Sequence, residues 1–313
     1  MGSRVNAASP AGPMASTPTA ARRLMRVFAL VRYRFFLYAG LLPYLLGAAW
    51  AYAMAGAFDA PAFWCGLGGV VLSVIGVEAF NEYFDARMGT DRVFNPEDVP
   101  PIATAVFWIG SAAFAAALAV GVYLAIRGGW PILAFALAGG TAAIFYEAPP
   151  IRWSYRGLGE LVIALSYGPW MVMGSLYLHT QSFSWAALAA SLVPACFIMA
   201  LAVVNAIPDF HQDRLVGKRN LVVRLGREPA VRLYLGLATA GLMVVVAGVA
   251  TGAFPVASLA ALLAAPLVAA SGRCALRTFS TPRLFLPAMR WMVVAYLVAT
   301  GLLTAAIFLQ AWR

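Results

Sequence analysis

Residues 81–92 read NEYFDARMGTDR and follow directly on the apolar run 62–80. A second polar stretch, residues 205–213 with the sequence NAIPDFHQD, begins at the end of the apolar run 185–206. Both stretches open with the spacing Asn-x-x-x-Asp, and each lies where a hydrocarbon-like segment stops. This arrangement predicts membrane-spanning helices that carry polar clusters at their ends.

Helical geometry places the polar side chains of each stretch together. Residues four apart share one face of a helix, so Asn81 is expected over Asp85. In the second stretch, a continuous helix would bring Asn205, Asp209 and Asp213 within about 40° of one another around its axis.

The composition supports a membrane protein. Of the 313 residues, 63% are hydrophobic and only 11% are charged, which is not a soluble globular composition. We expect an all-α polytopic protein with a disordered cytosolic tail, residues 1–21, and one transmembrane domain, residues 22–313. Windowed hydropathy predicts nine spanning helices, at about 35–55, 62–80, 102–126, 130–147, 159–178, 185–206, 230–252, 254–272 and 286–310.

Arginine and lysine are strongly biased to one side of this predicted topology. All of them except Arg127 and Arg313 fall in the N-terminal tail or in the connections after the second, fourth, sixth and eighth helices, counted with the flanking helix ends. The positive-inside rule then predicts that the N-terminus and both Asn/Asp stretches are cytoplasmic and the C-terminus lies opposite. This bias also explains the net charge of +10, so we expect no nucleic-acid partner.

Most of the twelve acidic residues lie on the same predicted side, beside the ends of apolar helices. Carboxylates grouped with a side-chain amide are hard oxygen ligands, which suit Mg²⁺, and Mg²⁺ is often shared with substrate phosphates. Two such clusters would present metal ions to one diphosphate. The alternative is that these acids pair with neighbouring arginines and cap helix ends.

Basic residues are interleaved with both clusters: Arg87 and Arg92 with the first, and Lys218 and Arg219 beside the second. Lysine and arginine are natural partners of phosphate oxygens, although topology alone also places basic residues here. Lys218 is the only lysine in the chain.

The connection at residues 146–160 contains paired prolines and two tyrosines, Tyr146 and Tyr155. Tyrosine rings stabilise cations and their hydroxyls hold phosphates, although interfacial anchoring explains a single tyrosine as well. Candidate proton acceptors among the glutamates are Glu78, Glu82 and Glu160.

These stretches resemble the UbiA superfamily of intramembrane prenyltransferases. The resemblance covers about residues 30–310 and is carried by Asn81-x-x-x-Asp85, Gly89-Thr90-Asp91, Asp209-x-x-x-Asp213 and Gly217-Lys218-Arg219. Within the superfamily, the sequence is most similar to the branch that prenylates 1,4-dihydroxy-2-naphthoate. Arg32-Tyr33-Arg34-Phe35 also resembles the opening of that branch, which makes Arg32 a candidate substrate contact.

The resemblance implies Mg²⁺-dependent transfer of a polyprenyl group from its diphosphate to an aromatic, quinone-precursor-like acceptor in the membrane. It implies that Asp85, Asp209, Asp213 and Lys218 are catalytic. By the same likeness, Mg²⁺ and the diphosphate are bound by Asn81, Asp85, Asp209 and Asp213, assisted by Asp91 and Asn205, while Lys218 and Arg219 neutralise the leaving diphosphate.

The sequence also departs from the family pattern. Glu82 stands where the family often has aspartate, Tyr33 replaces a proline and Asn220 replaces a common threonine. The residues after Asp91 also differ from the naphthoate-specific branch, so the metal chemistry is expected to be kept while the acceptor stays open.

Two other functions use similar features. An intramembrane terpene cyclase would keep the diphosphate site and lack an acceptor, but it would need a closed pocket. A secondary transporter would use paired carboxylates for cation coupling, although its site would be expected near the bilayer midplane.

Overall fold

The computed structural model describes residues 33–56, 58–88 and 103–310, and these residues are helical with turns and contain no strand. The first four helices are α1 Tyr33–Ala55, α2 Ala60–Met88, α3 Ala103–Gly128 and α4 Trp130–Ile144. A connection with a short helix, α5 Trp153–Arg156, follows α4.

The next spanning segment is composite, with α6 Gly159–Leu165, a π-helical turn Ser166–Trp170 and α7 Met171–Thr180. Pro169 lies inside the turn, where its missing amide hydrogen disrupts the regular α-helical ladder. Helix α8 Trp185–Ala206 is followed by two short helices, α9 Phe210–Leu215 and α10 Leu221–Leu225.

The remaining segments are α11 Arg227–Ala250, a 3₁₀ segment Val256–Ala264 that continues into α12 Ala265–Thr278, and α13 Pro282–Gln310. The expected tight hairpin is present between α11 and the 3₁₀ segment. Phe254 is buried there, and its ring lies so close to Gly248 that a Cβ at Gly248 would collide with it.

Within the described residues, seven helical segments are long and apolar enough to cross a membrane, and two shorter apolar helices, Ala39–Ala55 and Trp130–Ile144, accompany them. The predicted run 130–147 therefore ends early, because the chain leaves the helix at Ile144 and turns toward Pro149 and Pro150. A 15-residue helix rises only about 22 Å.

Helix α8 is the centre of the bundle. It packs against α11, α13 and α6, and its apolar side chains, including Phe197, Ile198 and Leu201, are fully buried. On the other side of the fold α2 packs along α3, and α1 packs along α7.

Buried hydrogen bonds join helices that apolar packing alone would leave free to slide. The hydroxyl of Ser271 donates to the carbonyl of Ala288 at 2.8 Å and lies 3.1 Å from the hydroxyl of Tyr234, which connects α11, α12 and α13. Tyr296 donates to the carbonyl of Ala39 at 3.0 Å. Polar side chains placed this way fix the register of helices in an apolar environment.

Candidate active site

Helix α2 continues through Met88, so Asn81 and Asp85 lie one turn apart on a helix, as the sequence predicted. The carboxylate of Asp85 accepts a hydrogen bond from the Lys218 ammonium at 2.9 Å. The side-chain oxygen of Asn81 is buried and has no hydrogen-bond partner among the residues that the structure describes. A buried amide oxygen without a donor is costly unless a ligand satisfies it.

The second Asn/Asp stretch differs from the expectation. Helix α8 ends at Ala206, a turn follows, and α9 starts at Phe210. The prediction of one continuous helix through Asn205, Asp209 and Asp213 was therefore wrong. Pro208 has no amide hydrogen with which to continue the helical hydrogen bonds, so the helix is interrupted there.

Because of the bend, the two carboxylates of this stretch differ in solvent exposure. Asp209 is exposed, whereas Asp213 is buried. Asn220 donates to the carboxylate of Asp213 at 2.6 Å, and the backbone amide of Lys218 donates to the Asp213 carbonyl at 2.8 Å. Burial raises the pKa of Asp213 to about 6, although Lys218 and Asn220 oppose that shift.

Lys218 lies at the centre of the site. Its ammonium is 2.9 Å from the Asp85 carboxylate and 3.1 Å from the Glu147 carboxylate, and its side chain is only 10% exposed. Burial alone would lower the pKa of Lys218, but the adjacent carboxylates of Glu147 and Asp85 raise it above its usual range. The lysine is therefore a permanent buried cation.

Glu147 is the site residue that sequence reasoning missed, since the candidate proton acceptors were Glu78, Glu82 and Glu160. Glu147 is only 3% exposed, and Ser154 and Lys218 lie beside its carboxylate. Burial raises its pKa to about 7, against the opposing effect of Lys218. Its position directly after Tyr146, in a connection predicted to lie on the same side as Lys218, was the available signal.

Glu160, a candidate proton acceptor in the sequence, forms a hydrogen bond that stabilises the fold. Its carboxylate accepts a hydrogen bond from the backbone amide of Leu221 at 2.9 Å, which holds the start of α10. Nearby, an Arg224 guanidinium nitrogen donates to the carbonyl of Arg156 at 2.6 Å. The connection at residues 145–158 and the segment at residues 216–226 are thereby docked on each other.

Gly157 makes this docking geometrically feasible. It has a φ of 73°, and a Cβ there would lie 2.9 Å from the carbonyl oxygen of Arg219. We expect Gly157→Ala to lower the free energy of unfolding by about 1–3 kcal/mol through backbone strain and crowding. Thermal unfolding in detergent measures this effect.

Gly252 provides a matched control, since it has the same φ of 73° and a Cβ there would have nothing within 4 Å. Gly252→Ala carries the strain without the crowding, so it should be the milder change. Equal losses of stability in the two variants would show that the docked contact at Gly157 contributes little.

The two predicted tyrosines lie on different sides of this cluster. Tyr146 lines an apolar cavity, whereas the Tyr155 ring faces cations, with the Arg152 guanidinium 4.1 Å and the Lys218 ammonium 5.7 Å from its centroid. Tyr155 therefore contributes to holding Lys218 in place.

The described arginines that were predicted to bind diphosphate are exposed and are not part of the buried contacts around Lys218. Arg87 is exposed and donates to the hydroxyl of Tyr83 on its own helix at 2.8 Å, and Arg219 is exposed as well. Arg32, Asp91 and Arg92 lie outside the described residues.

The cavity has a volume of about 450 Å³ and lies between α2, α3, α4 and the α6–α7 segment. Its walls are mostly apolar, and Gly139, Gly140 and Gly174 leave space along one side. Tyr146, which directly precedes Glu147 in the chain, lines the cavity beside the charge cluster, and the exposed side chains of Ala115 and Leu118 form part of the wall on α3. The volume is within the range of typical ligand pockets.

The candidate ligand atoms of this site are oxygens, which is the atom type that Mg²⁺ prefers. The carboxylates of Asp85 and Asp213 are near a cation that the protein itself supplies, Lys218, and Asn81 lies one helical turn before Asp85. In the described part of the chain, no three Asp, Glu, His or Cys side chains are close enough together to hold a metal ion by themselves. Asp85 is instead paired with the lysine.

Known proteins are similar to this chain in sequence or in fold. The model of the UbiA prenyltransferase family matches residues 40–294. A 1,4-dihydroxy-2-naphthoate octaprenyltransferase from Escherichia coli is 30% identical over 257 residues, which cover 74% of this chain and 79% of that protein. A 2-carboxy-1,4-naphthoquinone phytyltransferase from Synechocystis sp. is 27% identical over 191 residues, 59% of this chain and 61% of its own length.

The matched region thus spans less than two thirds of the Synechocystis relative. A solved structure of a UbiA homolog from Archaeoglobus fulgidus, bound to GPP and Mg²⁺, superposes with a TM-score of 0.58 at 17% identity and covers 93% of this chain and 99% of that one. The structural likeness shows a common fold. Because the family model matches most of its length, this chain belongs to the UbiA prenyltransferase family.

Proposed function

We propose that this protein transfers a polyprenyl group from its diphosphate to an aromatic, quinone-precursor-like acceptor within the membrane. The observation that carries the proposal is the charge cluster of Asp85, Glu147 and Lys218, which lies beside Tyr146, a residue that also lines an apolar cavity. This juxtaposition suits a substrate with a charged head and a long apolar tail.

Asn81, Asp85, Asp209 and Asp213 would hold Mg²⁺ together with the diphosphate, assisted by Asn205 and by Asp91, which lies outside the described residues. When bound, Mg²⁺ supplies Lewis-acid stabilisation of the departing diphosphate. Lys218 and Arg219 add positive charge to the same leaving group, with Arg87 and Arg92 as further candidates. The likeness to a fold that binds GPP and Mg²⁺ in Archaeoglobus fulgidus supports this assignment.

The cavity would hold the prenyl tail and keep water from the allylic carbon as its bond to oxygen breaks. Tyr146 lines the cavity at the charged end, where its ring would shelter developing positive charge. The acceptor would then attack that carbon while the diphosphate leaves with the bonding electrons, and a base would take the ring proton, for which Glu78 and Glu82 are the candidates. Because exposed Ala115 and Leu118 form part of the wall, the cavity is open to its surroundings, which favours transfer over cyclisation in a closed pocket.

The acceptor is proposed by analogy with the relatives, whose names specify naphthoate and naphthoquinone compounds. Such an acceptor is amphipathic and would approach from the bilayer surface.

We also propose that residues 22–313 form one transmembrane domain with nine membrane segments, the seven long helices and the two shorter apolar ones. The arginine distribution supports a cytoplasmic N-terminus and a cytoplasmic charge cluster, with the C-terminus on the opposite side and, in a bacterium, the inner membrane as its location. Cysteine-accessibility labelling at the loop after α3, near Arg127, and at the loop after α10 tests the sidedness.

The decisive experiment is Mg²⁺-dependent diphosphate release from geranylgeranyl diphosphate by the purified protein. It is run with and without 1,4-dihydroxy-2-naphthoate, and the lipid products are analysed by mass. We expect release that requires the acceptor and an adduct of matching mass. Release without acceptor, giving a hydrocarbon or an alcohol, would overturn transfer in favour of cyclisation or hydrolysis.

Metal binding should depend on pH through Asp213. Because the pKa of this carboxyl is raised to about 6, it takes up a proton as the pH falls through 6, and the protonated form is a poor metal ligand. We expect the apparent Mg²⁺ affinity to be about tenfold weaker at pH 5 than at pH 7.5. Mg²⁺-dependent thermal stabilisation across this range measures it, and a flat profile would contradict the role of Asp213.

A further inference from the structure

The Lys218 ammonium has two carboxylate partners that differ in their surroundings. Asp85 Oδ1 is 2.9 Å away on a side chain that is 30% exposed, whereas Glu147 Oε1 is 3.1 Å away on a side chain that is only 4% exposed. The ammonium therefore bridges an accessible carboxylate at the end of α2 and an enclosed one in the connection after α4.

The ion pair of Asp85 with Lys218 competes with coordination of a metal ion by the same carboxylate. A divalent cation at Asp85 would take the acceptor of the ammonium and repel its charge at short range. A buried ammonium that loses its counter-ion is expensive, so without a second partner Lys218 would compete with the metal for Asp85.

Glu147 is placed to supply that second partner. Its backbone carbonyl accepts a hydrogen bond from Arg152 at 3.4 Å, which helps fix the connection, and its carboxylate is buried beside Ser154. On the other side, the backbone amide of Lys218 is anchored on the Asp213 carbonyl at 2.8 Å. Both members of the pair are therefore held in position independently of Asp85.

We propose that Glu147 is a positioning residue that keeps the Lys218 ammonium in the site while freeing Asp85 for the metal ion. The inference rests on the proposed function, since it takes Asp85 as a metal ligand. Lys218 then has a different carboxylate partner before and after the metal ion binds. It neutralises Asp85 before metal binds, and afterwards it stays beside Glu147, within reach of the diphosphate.

The test is Mg²⁺ binding without any prenyl substrate, measured by calorimetry and by Mg²⁺-dependent thermal stabilisation. Glu147→Gln keeps the shape of the side chain and removes its charge, so Lys218 should stay on Asp85. We expect the Mg²⁺ affinity to fall about tenfold or more, as for other residues that support metal ligands. Glu228→Gln is the control, because it removes a carboxylate from an exposed ion pair with Arg232 and should leave the affinity unchanged.

A double variant separates positioning from a merely structural role. In Glu147→Gln/Lys218→Met both buried charges are absent, which limits the folding penalty that a single unpaired charge would cause. We expect this variant to bind Mg²⁺ at least as tightly as the unmodified protein, since the competitor for Asp85 is gone. Tight binding by the double variant beside weaker binding by Glu147→Gln shows that the loss comes from Lys218 held on Asp85 and not from damage to the fold.

Two results would overturn the inference while leaving the transferase intact: an unchanged Mg²⁺ affinity in folded Glu147→Gln, or weak binding that persists in the folded double variant. If the unmodified protein turns over prenyl diphosphate without binding Mg²⁺ at all, the metal assignment at Asp85 fails, and the role given to Glu147 fails with it.

Discussion

Asp85→Asn is expected to reduce Mg²⁺-dependent diphosphate release by at least about 1,000-fold while the protein still folds. The substitution removes a charged metal ligand at the end of α2, where the neighbouring oxygen of Asn81 is buried and has no partner among the described residues. Folding should survive because Lys218 keeps Glu147, 3.1 Å away, as its counter-ion. Turnover at saturating substrate and the melting temperature are measured together.

Glu228→Gln again serves as the control for the loss of an acidic charge. Its ion pair with Arg232 is exposed on both sides, so turnover and melting temperature should stay within experimental error. Asp85→Asn protein that is folded and retains a tenth or more of the activity would contradict the assignment of Asp85 as a metal ligand.

Gly140→Leu is expected to exclude long prenyl chains while sparing short ones. Gly140 lines the cavity, and a Cβ there would have nothing within 4 Å, so the larger side chain has space to occupy. It lies four residues before Ile144, where α4 ends, which is roughly 6 Å along the helix axis from the turn that carries Tyr146. We expect about a 100-fold loss of kcat/KM with geranylgeranyl diphosphate and less than a threefold loss with dimethylallyl diphosphate.

Gly236→Leu is the matched control for this change. Gly236 lies in α11, does not line the cavity, and likewise has open space, with nothing within 4 Å, where a Cβ would stand. This variant should use both substrates as the unmodified protein does. If Gly140→Leu slowed both substrates equally, the tail would not run along this wall.

The sequence was sufficient for the helical class because its apolar runs are long and its polar residues begin where those runs end. It also placed Asn81 and Asp85 correctly, since the residues from Ala60 to Met88 contain no proline after Pro61 and continue as one helix. Helical periodicity is local information, so it needs no knowledge of the tertiary structure.

The same reasoning failed at Pro208, where spacing suggested a continuous face and the backbone instead turns. It also failed at Glu147, whose importance comes from a contact with Lys218, 71 residues away in sequence. The periodicity of a sequence does not predict which carboxylate forms an ion pair with a lysine in another loop. Only tertiary packing determines that, and burial then determines how strongly the two charges interact.

The shortness of α4 has a consequence for the lipid environment. A helix of about 22 Å in a hydrocarbon layer of about 30 Å leaves roughly 8 Å that the surrounding lipids or the following residues must accommodate. With α4 as one of the proposed membrane segments, we expect the chain beyond Ile144, with Tyr146 and Glu147, to lie below the headgroups or the bilayer to thin around it. We therefore expect the catalytic rate to depend on acyl-chain length, so that bilayers of different thickness give the same protein different rates.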